Sequence, residues 1–298
     1  MKHYKTINEL TKTNGYPPSE HPLVGLLTCR ELVACSIGES EFTSDFYIIA
    51  LKKIKSGLFN YGRTRYDHDN GSMYFTRPRQ VVEINNIETA EKAFVIMIHE
   101  DFFISHPLHE EIRKYGFFDY EINEALHLSA NEEQIMWEIY RKIEREVNNN
   151  QDEYSRDIIL AHVDSLLKYS QRFYKRQFIN RVVLSGKLAT RFTALLAGYF
   201  DQKLHLSQGL PTVKFMAAEL NTSTRYLTDL LKEQTGKTAL DHIHSFLIEE
   251  AKNMLRSTDN TVAETAYQLG FENPPYFSRL FKKETGVSPN QYREQFLN

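Results

Sequence analysis

The amino-acid sequence predicts a multidomain α+β protein: an amino-terminal antiparallel β-domain, a following helical part and an all-α domain at the carboxy terminus. The chain has 298 residues, about twice a typical domain of roughly 150 residues. Short runs rich in β-branched and aromatic residues fill positions 45–99, and a pattern repeats within the last third of the chain. We place the domains at residues 1–200 and 203–298, with strands at about 20–100 and helices at about 105–200.

The composition is that of a folded globular protein. Apolar residues make up 41% and charged residues 25% of the chain, which excludes a mainly disordered or fibrous protein. No apolar run reaches the roughly 18 residues that span a bilayer, and residues 1–10 lack the apolar core of a signal peptide. We therefore expect a cytoplasmic protein without a membrane partner. Cys29 and Cys35 are too few for a disulfide framework or a four-ligand zinc site, so free thiols are expected.

Turn sequences separate the apolar runs of the strand region. Lys55-Ser56-Gly57 and Arg77-Pro78-Arg79 are two of them, and the short spacing leaves no room for crossover helices, which predicts an antiparallel barrel or sandwich. Further on, apolar residues recur at helical spacing in 132–147, 155–176 and 188–199, which predicts three helices. The first two either cover the sheet or form the seam of a homodimer.

The net charge of -3 conceals an uneven distribution of charge. Residues 1–167 carry 18 basic and 27 acidic side chains, whereas residues 168–191 carry seven basic and no acidic ones. Residues 203–298 hold 11 of each sign. The basic segment 168–191 is therefore either an accessory DNA contact or a partner for the acidic amino-terminal domain.

A duplicated unit occupies the carboxy-terminal third. Apolar residues and a glycine recur 49 positions later before a short turn and 50 positions later after it, so the second turn is one residue longer. The paired positions are Val213 and Val262, Ala217 and Ala266, Leu220 and Leu269, Leu227 and Phe277, Leu231 and Phe281, and Gly236 and Gly286. Each copy has the layout of a helix-turn-helix, the first at 212–236 and the second at 261–286, joined by a linker helix at 241–256.

Start and stop signals support this layout in the second copy. Thr261 and Glu264 form a capping-box pattern, and Gly270 supplies a left-handed stop. Asn273 then caps the next helix, with Pro274 at its first position, where the missing N–H costs nothing. The sequence therefore predicts helix, tight turn and helix in close succession.

The second helix of each copy must turn its apolar face to the core, which leaves a polar face outside. That face carries Thr224, Arg225, Thr228, Asp229 and Lys232 in the first copy, and Pro275, Ser278, Arg279, Lys282 and Lys283 in the second. Two such helices about 34 Å apart would reach base edges and phosphates in successive major-groove segments. The alternative is a solvated face of a helical bundle, which the duplication with matched caps disfavours.

Residues 203–298 resemble the DNA-binding domain of the AraC/XylS family of bacterial transcription regulators. The runs AETAYQLGF (263–271) and YFSRLFKKETGVSP (276–289), followed by Tyr292-Arg293, carry the resemblance. It implies seven helices that bind promoter DNA. It also assigns base reading to Thr224, Arg225, Thr228 and Asp229 in the first recognition helix and to Pro274, Pro275, Ser278 and Arg279 in the second. Lys232, Lys282 and Lys283 are our candidates for contacts with the DNA backbone.

Asp229 departs from the family pattern, since members often carry a long basic or amide residue at this position. Three roles are open for it: reading a cytosine amino group, pairing with Arg225 four residues earlier, or repelling a phosphate.

The amino-terminal domain resembles the cupin-like sensor barrel found ahead of this DNA-binding domain. Gly57, Arg63, Arg65 and Asp69 follow the spacing of the cupin metal motif, with arginine in place of both histidines. Because arginine has no lone pair to offer a metal, we expect no metal, no cofactor and no cupin-type catalysis. Tyr61, Arg63 and Arg65 are candidates for clamping an anionic effector; otherwise the arginines lie at the surface or hold a hairpin.

The sequence therefore predicts a sequence-specific transcription regulator and not an enzyme, because the strand region lacks paired carboxylates, an activated nucleophile and a metal set. His99, His106 and His109 are irregularly spaced at a strand-to-helix junction and are expected to be structural. The expected partners are double-stranded promoter DNA and a second copy of the chain, with RNA polymerase and a small-molecule effector as further candidates. The alternative is a regulator whose amino-terminal domain only dimerises. Activator and repressor are both open.

Overall fold

The computed structural model describes residues 1–29, 41–52, 54–56, 71–83, 88–89, 93–121, 124–257 and 260–297. The chain forms two compact units, an amino-terminal unit of residues 1–177 and a carboxy-terminal unit of residues 178–298. This boundary precedes the one expected from the sequence, because Phe192 and Leu196 belong to the core of the carboxy-terminal unit.

Three sheets contain the described strands of the amino-terminal unit. The strands are β1 Lys2–Tyr4, β2 Val24–Cys29, β3 Glu41–Ser44, β4 Phe46–Lys52, β5 Ile54–Ser56, β6 Ser72–Thr76, β7 Val82–Glu83, β8 Glu88–Thr89, β9 Ala93–His99 and β10 Leu126–His127. A five-stranded antiparallel sheet has the order β10-β6-β4-β9-β2, and the smaller sheets are β1-β3-β7 and β5-β8.

The expected mixture of sheet and helix is confirmed, but two details of the expected barrel are not. Strands β1 and β3 run parallel, because β1 precedes a helix instead of entering a hairpin. None of the described sheets closes on itself, so a closed cupin-like barrel is not confirmed. Residues 57–70 of the expected strand region, which include the arginine-substituted motif at 57–69, lie outside the described residues.

Strand β4 is the central strand of the five-stranded sheet, between β6 and β9, and helices cover one face of the sheet. The helices of this unit are α1 Ile7–Thr13, α2 Leu108–Glu111, α3 Ala130–Val147 and the start of α4 Ser155–Asp201, with 3-10 turns at Glu100–Phe103, Ile112–Lys114 and Gly116–Asp119. Phe94 of β9 stacks on Tyr140 of α3 with ring centroids 4.6 Å apart. Of the two roles open for this helical region, α3 thus serves as a cover for the sheet.

Helix α4 corrects the expectation of two separate helices at 155–176 and 188–199, because it runs unbroken over 47 residues. The intervening sequence has no proline, and Gly186 is its only glycine. A single glycine costs about 1 kcal/mol in a helix and does not by itself end one.

The carboxy-terminal unit is helical throughout its described part. After α4 come α5 Leu204–Gln208, α6 Val213–Glu219, α7 Thr224–Thr235, α8 Ala239–Ser257, α9 Val262–Gln268, α10 Pro274–Thr285 and α11 Pro289–Leu297. These are the seven helices that the resemblance implies. Leu227, Leu231, Phe277 and Phe281 are fully buried in one core together with Ala251 of α8. In the described residues no helix is both long and apolar enough to cross a bilayer.

Candidate nucleic-acid interface

The first helix of each helix-turn-helix begins at a threonine cap. The Thr212 hydroxyl accepts a hydrogen bond from the Phe215 backbone N–H at 3.1 Å. In the second copy Thr261 and Glu264 form the expected capping box, with N···O distances of 3.2 and 2.7 Å. The backbone N–H of Thr261, assisted by its hydroxyl, lowers the pKa of the Glu264 carboxyl, because both donors stabilise the ionised form.

A residue with a left-handed backbone conformation lies in the tight turn of each helix-turn-helix unit. Gly270 has φ +87, and a Cβ atom there would lie 2.7 Å from the backbone oxygen of His205, so this site requires glycine both for its dihedral and for space. The equivalent Asn221 has φ 54, a conformation that asparagine tolerates better than most residues. The predicted left-handed stop at Gly270 is thus confirmed.

Helices α7 and α10 are the second helices of the two helix-turn-helix copies. Ser223 caps α7 by accepting from the Tyr226 N–H at 3.1 Å, and Asn273 caps α10 by accepting from the Tyr276 N–H at 3.2 Å. Both helices end at a left-handed glycine, Gly236 in the first copy and Gly286 in the second. Because the apolar residues of each helix are buried in the core, the rotation of each helix is determined and its polar side is directed outward.

The outward side of α7 carries an internal ion pair. Arg225 is exposed and donates from Nε to Oδ2 of Asp229 at 3.0 Å, while Asp229 is half-buried. The Thr228 hydroxyl donates to the Thr224 carbonyl at 2.9 Å, which leaves the lone pairs of that hydroxyl able to accept. Of the three roles open for Asp229, pairing with Arg225 is the one present in this structure.

The outward side of α10 is arranged differently. Pro275 and Arg279 are exposed, and Pro274 and Ser278 are half-buried. Arg279 occupies the position that Asp229 holds in the first copy, 50 residues earlier. No hydrogen bond or ion pair joins Arg279 to another residue in the described part of the chain. Its five N–H donors are therefore available to a ligand.

Three exposed lysines extend these faces toward the helix ends. Lys232 of α7 and Lys282 of α10 occupy equivalent positions, and Lys283 follows with its Nζ 4.0 Å from Oε1 of Glu284. Exposed ammonium groups are suited to contacts with DNA phosphates.

Sequence reasoning missed an exposed tyrosine in the first turn of α10. Tyr276 is 44% exposed, whereas the equivalent Tyr226 of α7 is 2% exposed and packs edge-on against Phe178 at 5.2 Å. The phenol of Tyr276 can donate to a phosphate oxygen. Nothing in the sequence distinguishes the two tyrosines, since burial of Tyr226 depends on a residue that lies outside the repeat.

Two described cations of the basic segment, Lys168 and Arg176, pair with acidic residues of the amino-terminal unit. Arg176 donates from Nε and Nη2 to the Glu132 carboxylate at 3.0 and 2.8 Å, and Lys168 pairs with Asp164 at 2.7 Å. These contacts favour the interpretation that the segment is a partner for acidic residues of its own domain.

His99 and His106, two of the three histidines expected to be structural, hydrogen-bond to the backbone around them. His99 caps the 3-10 turn through Nδ1, which accepts from the Asp101 N–H at 3.2 Å, and its Nε2 lies 3.1 Å from the Lys5 carbonyl oxygen. His106 Nδ1 accepts from the Leu108 N–H at 3.1 Å. The effector candidates Tyr61, Arg63 and Arg65 lie outside the described residues.

Comparisons with known proteins agree on the carboxy-terminal domain. A family profile described as a helix-turn-helix domain matches residues 216–295. The MmsAB operon regulatory protein of Pseudomonas aeruginosa is 35% identical over 100 residues, which are 34% of this chain and 32% of that protein. The transcriptional activator RhaR of Yersinia pseudotuberculosis is 33% identical over 73 residues, 24% of this chain and 25% of its own. Among solved structures, the C-terminal domain of AraT, a response regulator from Geobacillus stearothermophilus, is 32% identical over 36% of this chain and 84% of that chain, with a TM-score of 0.32.

The matched part spans about a third or less of these two curated relatives. Within it, the expectation from the sequence is confirmed: this region is a helix-turn-helix DNA-binding domain of the AraC type. The relatives are named as regulators and not as enzymes, which is the class the sequence predicts.

Proposed function

We propose that this chain, which carries an AraC-type DNA-binding domain, is a sequence-specific transcription regulator that reads two successive major-groove segments of promoter DNA. One observation supports the proposal above all. The chain holds two matched helix-turn-helix units, and each turns a polar, exposed side of its second helix away from a common core. Two recognition helices in one chain suit a site of two neighbouring half-elements.

The proposed base readers are Thr224, Arg225, Thr228 and Asp229 on α7, and Pro274, Pro275, Ser278 and Arg279 on α10. Arg279, which has no partner among the described residues, would fork onto O6 and N7 of a guanine. Asp229 would position Arg225 through their ion pair, and the two prolines would contact a thymine methyl group. Lys232, Lys282 and Lys283 would neutralise phosphates.

The proposal extends to the amino-terminal unit. We assign to it homodimerisation and the control of DNA binding by a small-molecule effector, with RNA polymerase as the partner at the promoter. A cavity of about 290 Å³ in this unit supports the effector role over dimerisation alone.

Selection of bound sequences from randomised duplex DNA by the full-length chain tests the DNA-binding role. We expect one motif with two half-elements about 10–10.5 base pairs apart. A double variant, Arg225→Ala with Arg279→Ala, should lose the motif, whereas Lys5→Ala with Lys12→Ala, which removes the same charge from exposed sites of the amino-terminal unit, should retain it. Recovery of unselected sequence by the unmodified chain would refute the proposal.

A further inference from the structure

His205 of α5 contacts the tight turn of the second helix-turn-helix unit. Its Nε2 lies 3.1 Å from the carbonyl oxygen of Gln268, the last residue of α9. Because a carbonyl oxygen can only accept, Nε2 carries the proton and donates it. His205 is only 9% exposed, so this hydrogen bond joins α5 to the end of α9 at a largely desolvated site.

The hydrogen bonds at the end of α9 show what this contact supplies. The last four carbonyl groups of a helix have no partner within the helix. In α9 the turn itself pairs three of them, because the backbone N–H groups of Leu269, Phe271 and Gly270 donate to the carbonyls of Thr265, Ala266 and Tyr267 at 3.1, 3.0 and 2.9 Å. Among the described residues, the fourth carbonyl, that of Gln268, accepts from the His205 imidazole alone.

The main chain of His205 packs against the same turn. A Cβ atom on Gly270 would lie 2.7 Å from the His205 carbonyl oxygen, so the two backbones approach closely only because residue 270 is a glycine. His205 therefore contacts the turn at two points, through its imidazole at Gln268 and through its backbone at Gly270.

Aromatic packing fixes the position of the imidazole. Phe200, near the end of α4, stacks on it with ring centroids 4.5 Å apart and an interplanar angle of 25°. Phe200 in turn packs on Phe246 of α8 at 5.0 Å. Because its ring is held by this stack, His205 offers its N–H to the turn from a fixed position and not from a freely rotating side chain.

The first helix-turn-helix unit is supported differently. Glu219 is the equivalent of Gln268, 49 residues earlier, and in the described part of the chain no side chain donates to its carbonyl oxygen. His205 lies outside the duplicated unit, so the contact has no counterpart within the repeat. The two turns therefore differ in what holds them, although the helices on either side of each turn match.

We propose that His205 is a positioning residue for α10: by holding the end of α9 and the turn, it fixes the direction in which α10 presents its outward side to DNA. Only residues 271–273 separate Gly270 from the start of α10, so a displacement of the turn would be passed on to that helix. The inference rests on the proposed function, since it assigns His205 to the reading of one half-element. The half-element read by α10 should depend on His205, and the one read by α7 should not.

DNA binding by the full-length chain tests this assignment on three duplexes: the selected one, and two in which one half-element is scrambled. His205→Phe keeps a stacked ring but removes the donor, and leaves the Gln268 carbonyl against an apolar edge. We expect the Kd for the selected duplex to rise about 5- to 150-fold, the change that corresponds to one buried acceptor left unpaired. Scrambling the half-element that depends on Arg279 should then have little further effect, whereas scrambling the other should weaken binding by the same factor as in the unmodified chain.

Two further variants separate positioning from a general effect on folding. His205→Gln carries an amide N–H at about the place of Nε2 and should restore the preference for both half-elements. Leu206→Phe introduces the same ring at the neighbouring position of α5, which is 58% exposed, and should bind like the unmodified chain. A residue that only supported folding would lower the fraction of active protein, which stoichiometric titration measures, and would affect both half-elements equally.

Four results would overturn the inference: an unchanged Kd in His205→Phe, an equal loss of preference at both half-elements, a loss confined to the half-element that Arg225→Ala affects, or a loss in His205→Gln as large as in His205→Phe. An unmodified chain that selects no motif of two half-elements contradicts the proposed regulatory function instead. A chain that selects such a motif, and keeps its full preference in His205→Phe, contradicts the role of His205 alone.

Discussion

Replacement of Arg279 by alanine separates DNA reading from folding. Arg279 is exposed on α10 and has no partner in the described part of the chain, so its removal should change the free energy of unfolding by no more than about 0.5 kcal/mol. On DNA, a bidentate arginine contact with guanine contributes about 1–3 kcal/mol of discrimination. That energy corresponds to a Kd about 5- to 150-fold higher at 25 °C.

Fluorescence anisotropy measures this effect at a fixed salt concentration. The full-length chain is titrated with its selected duplex and with duplexes that carry each single base-pair change. For Arg279→Ala we expect weaker binding to the selected duplex and loss of preference at one base pair, with little change on unrelated DNA. The control Lys12→Ala removes one charge from the amino-terminal unit and should change neither the affinity for the selected duplex nor the base preference.

Three outcomes would contradict this reasoning. An unchanged preference at every base pair would exclude Arg279 from base reading. An equal loss of affinity on all duplexes would make Arg279 a phosphate contact instead. A lowered unfolding midpoint of the variant would show that the side chain has a structural role in the free protein.

Three other predictions concern the same domain. Lys282→Ala should reduce the magnitude of the slope of log K for DNA binding against log salt concentration by about 0.9 and leave the base preference intact. Anisotropy between about 50 and about 200 mM salt measures this slope. A left-handed alanine costs about 1–2 kcal/mol. Gly270→Ala should lower the free energy of unfolding by more than this, because the new Cβ would lie 2.7 Å from a backbone oxygen. Gly236→Ala, whose Cβ would have no atom within 4 Å, should cost only about 1–2 kcal/mol; denaturant unfolding measures both. The pKa of Glu264 is lowered in the folded chain from its ordinary value of 4.5. The ionised carboxylate therefore stabilises the fold fully above pH 4.5, and this stabilisation is lost as the pH falls through the lowered pKa. In thermal unfolding, the stability difference between the unmodified chain and Glu264→Gln should shrink toward pH 3.

Much of the carboxy-terminal domain is predictable from its sequence. The caps at Thr261 and Asn273 and the stop at Gly270 are each encoded by a few neighbouring residues, because capping hydrogen bonds and left-handed turns involve atoms close along the chain. The apolar period of α7 and α10 then determines which side is buried. The duplication strengthens the prediction of two helix-turn-helix units, since the two copies carry the same signals at matched positions.

Other features depend on residues distant in sequence. Nothing near Tyr226 and Tyr276 indicates that the first is buried and the second exposed, because Phe178 covers only the first. The parallel pairing of β1 with β3 was equally unpredictable, since strand pairing depends on where the whole chain places each edge. The unbroken course of α4 is a third feature of this kind. A single glycine such as Gly186 lowers the stability of a helix without ending it, so the local sequence does not decide between one helix and two.

The sequence by itself determined the helix-turn-helix repeat, the ends of its helices and the residues on the outward sides of α7 and α10, because these follow from hydrogen bonds and apolar periods within a few turns of chain. Only the tertiary structure decided that Arg225 is paired while Arg279 has no described partner, and that Lys52 lines an apolar cavity. The environment of a side chain is set by every segment that folds against it, and the described residues that line this cavity with Lys52 come from β2, β3, β4, β9, α1 and the stretch that follows α1.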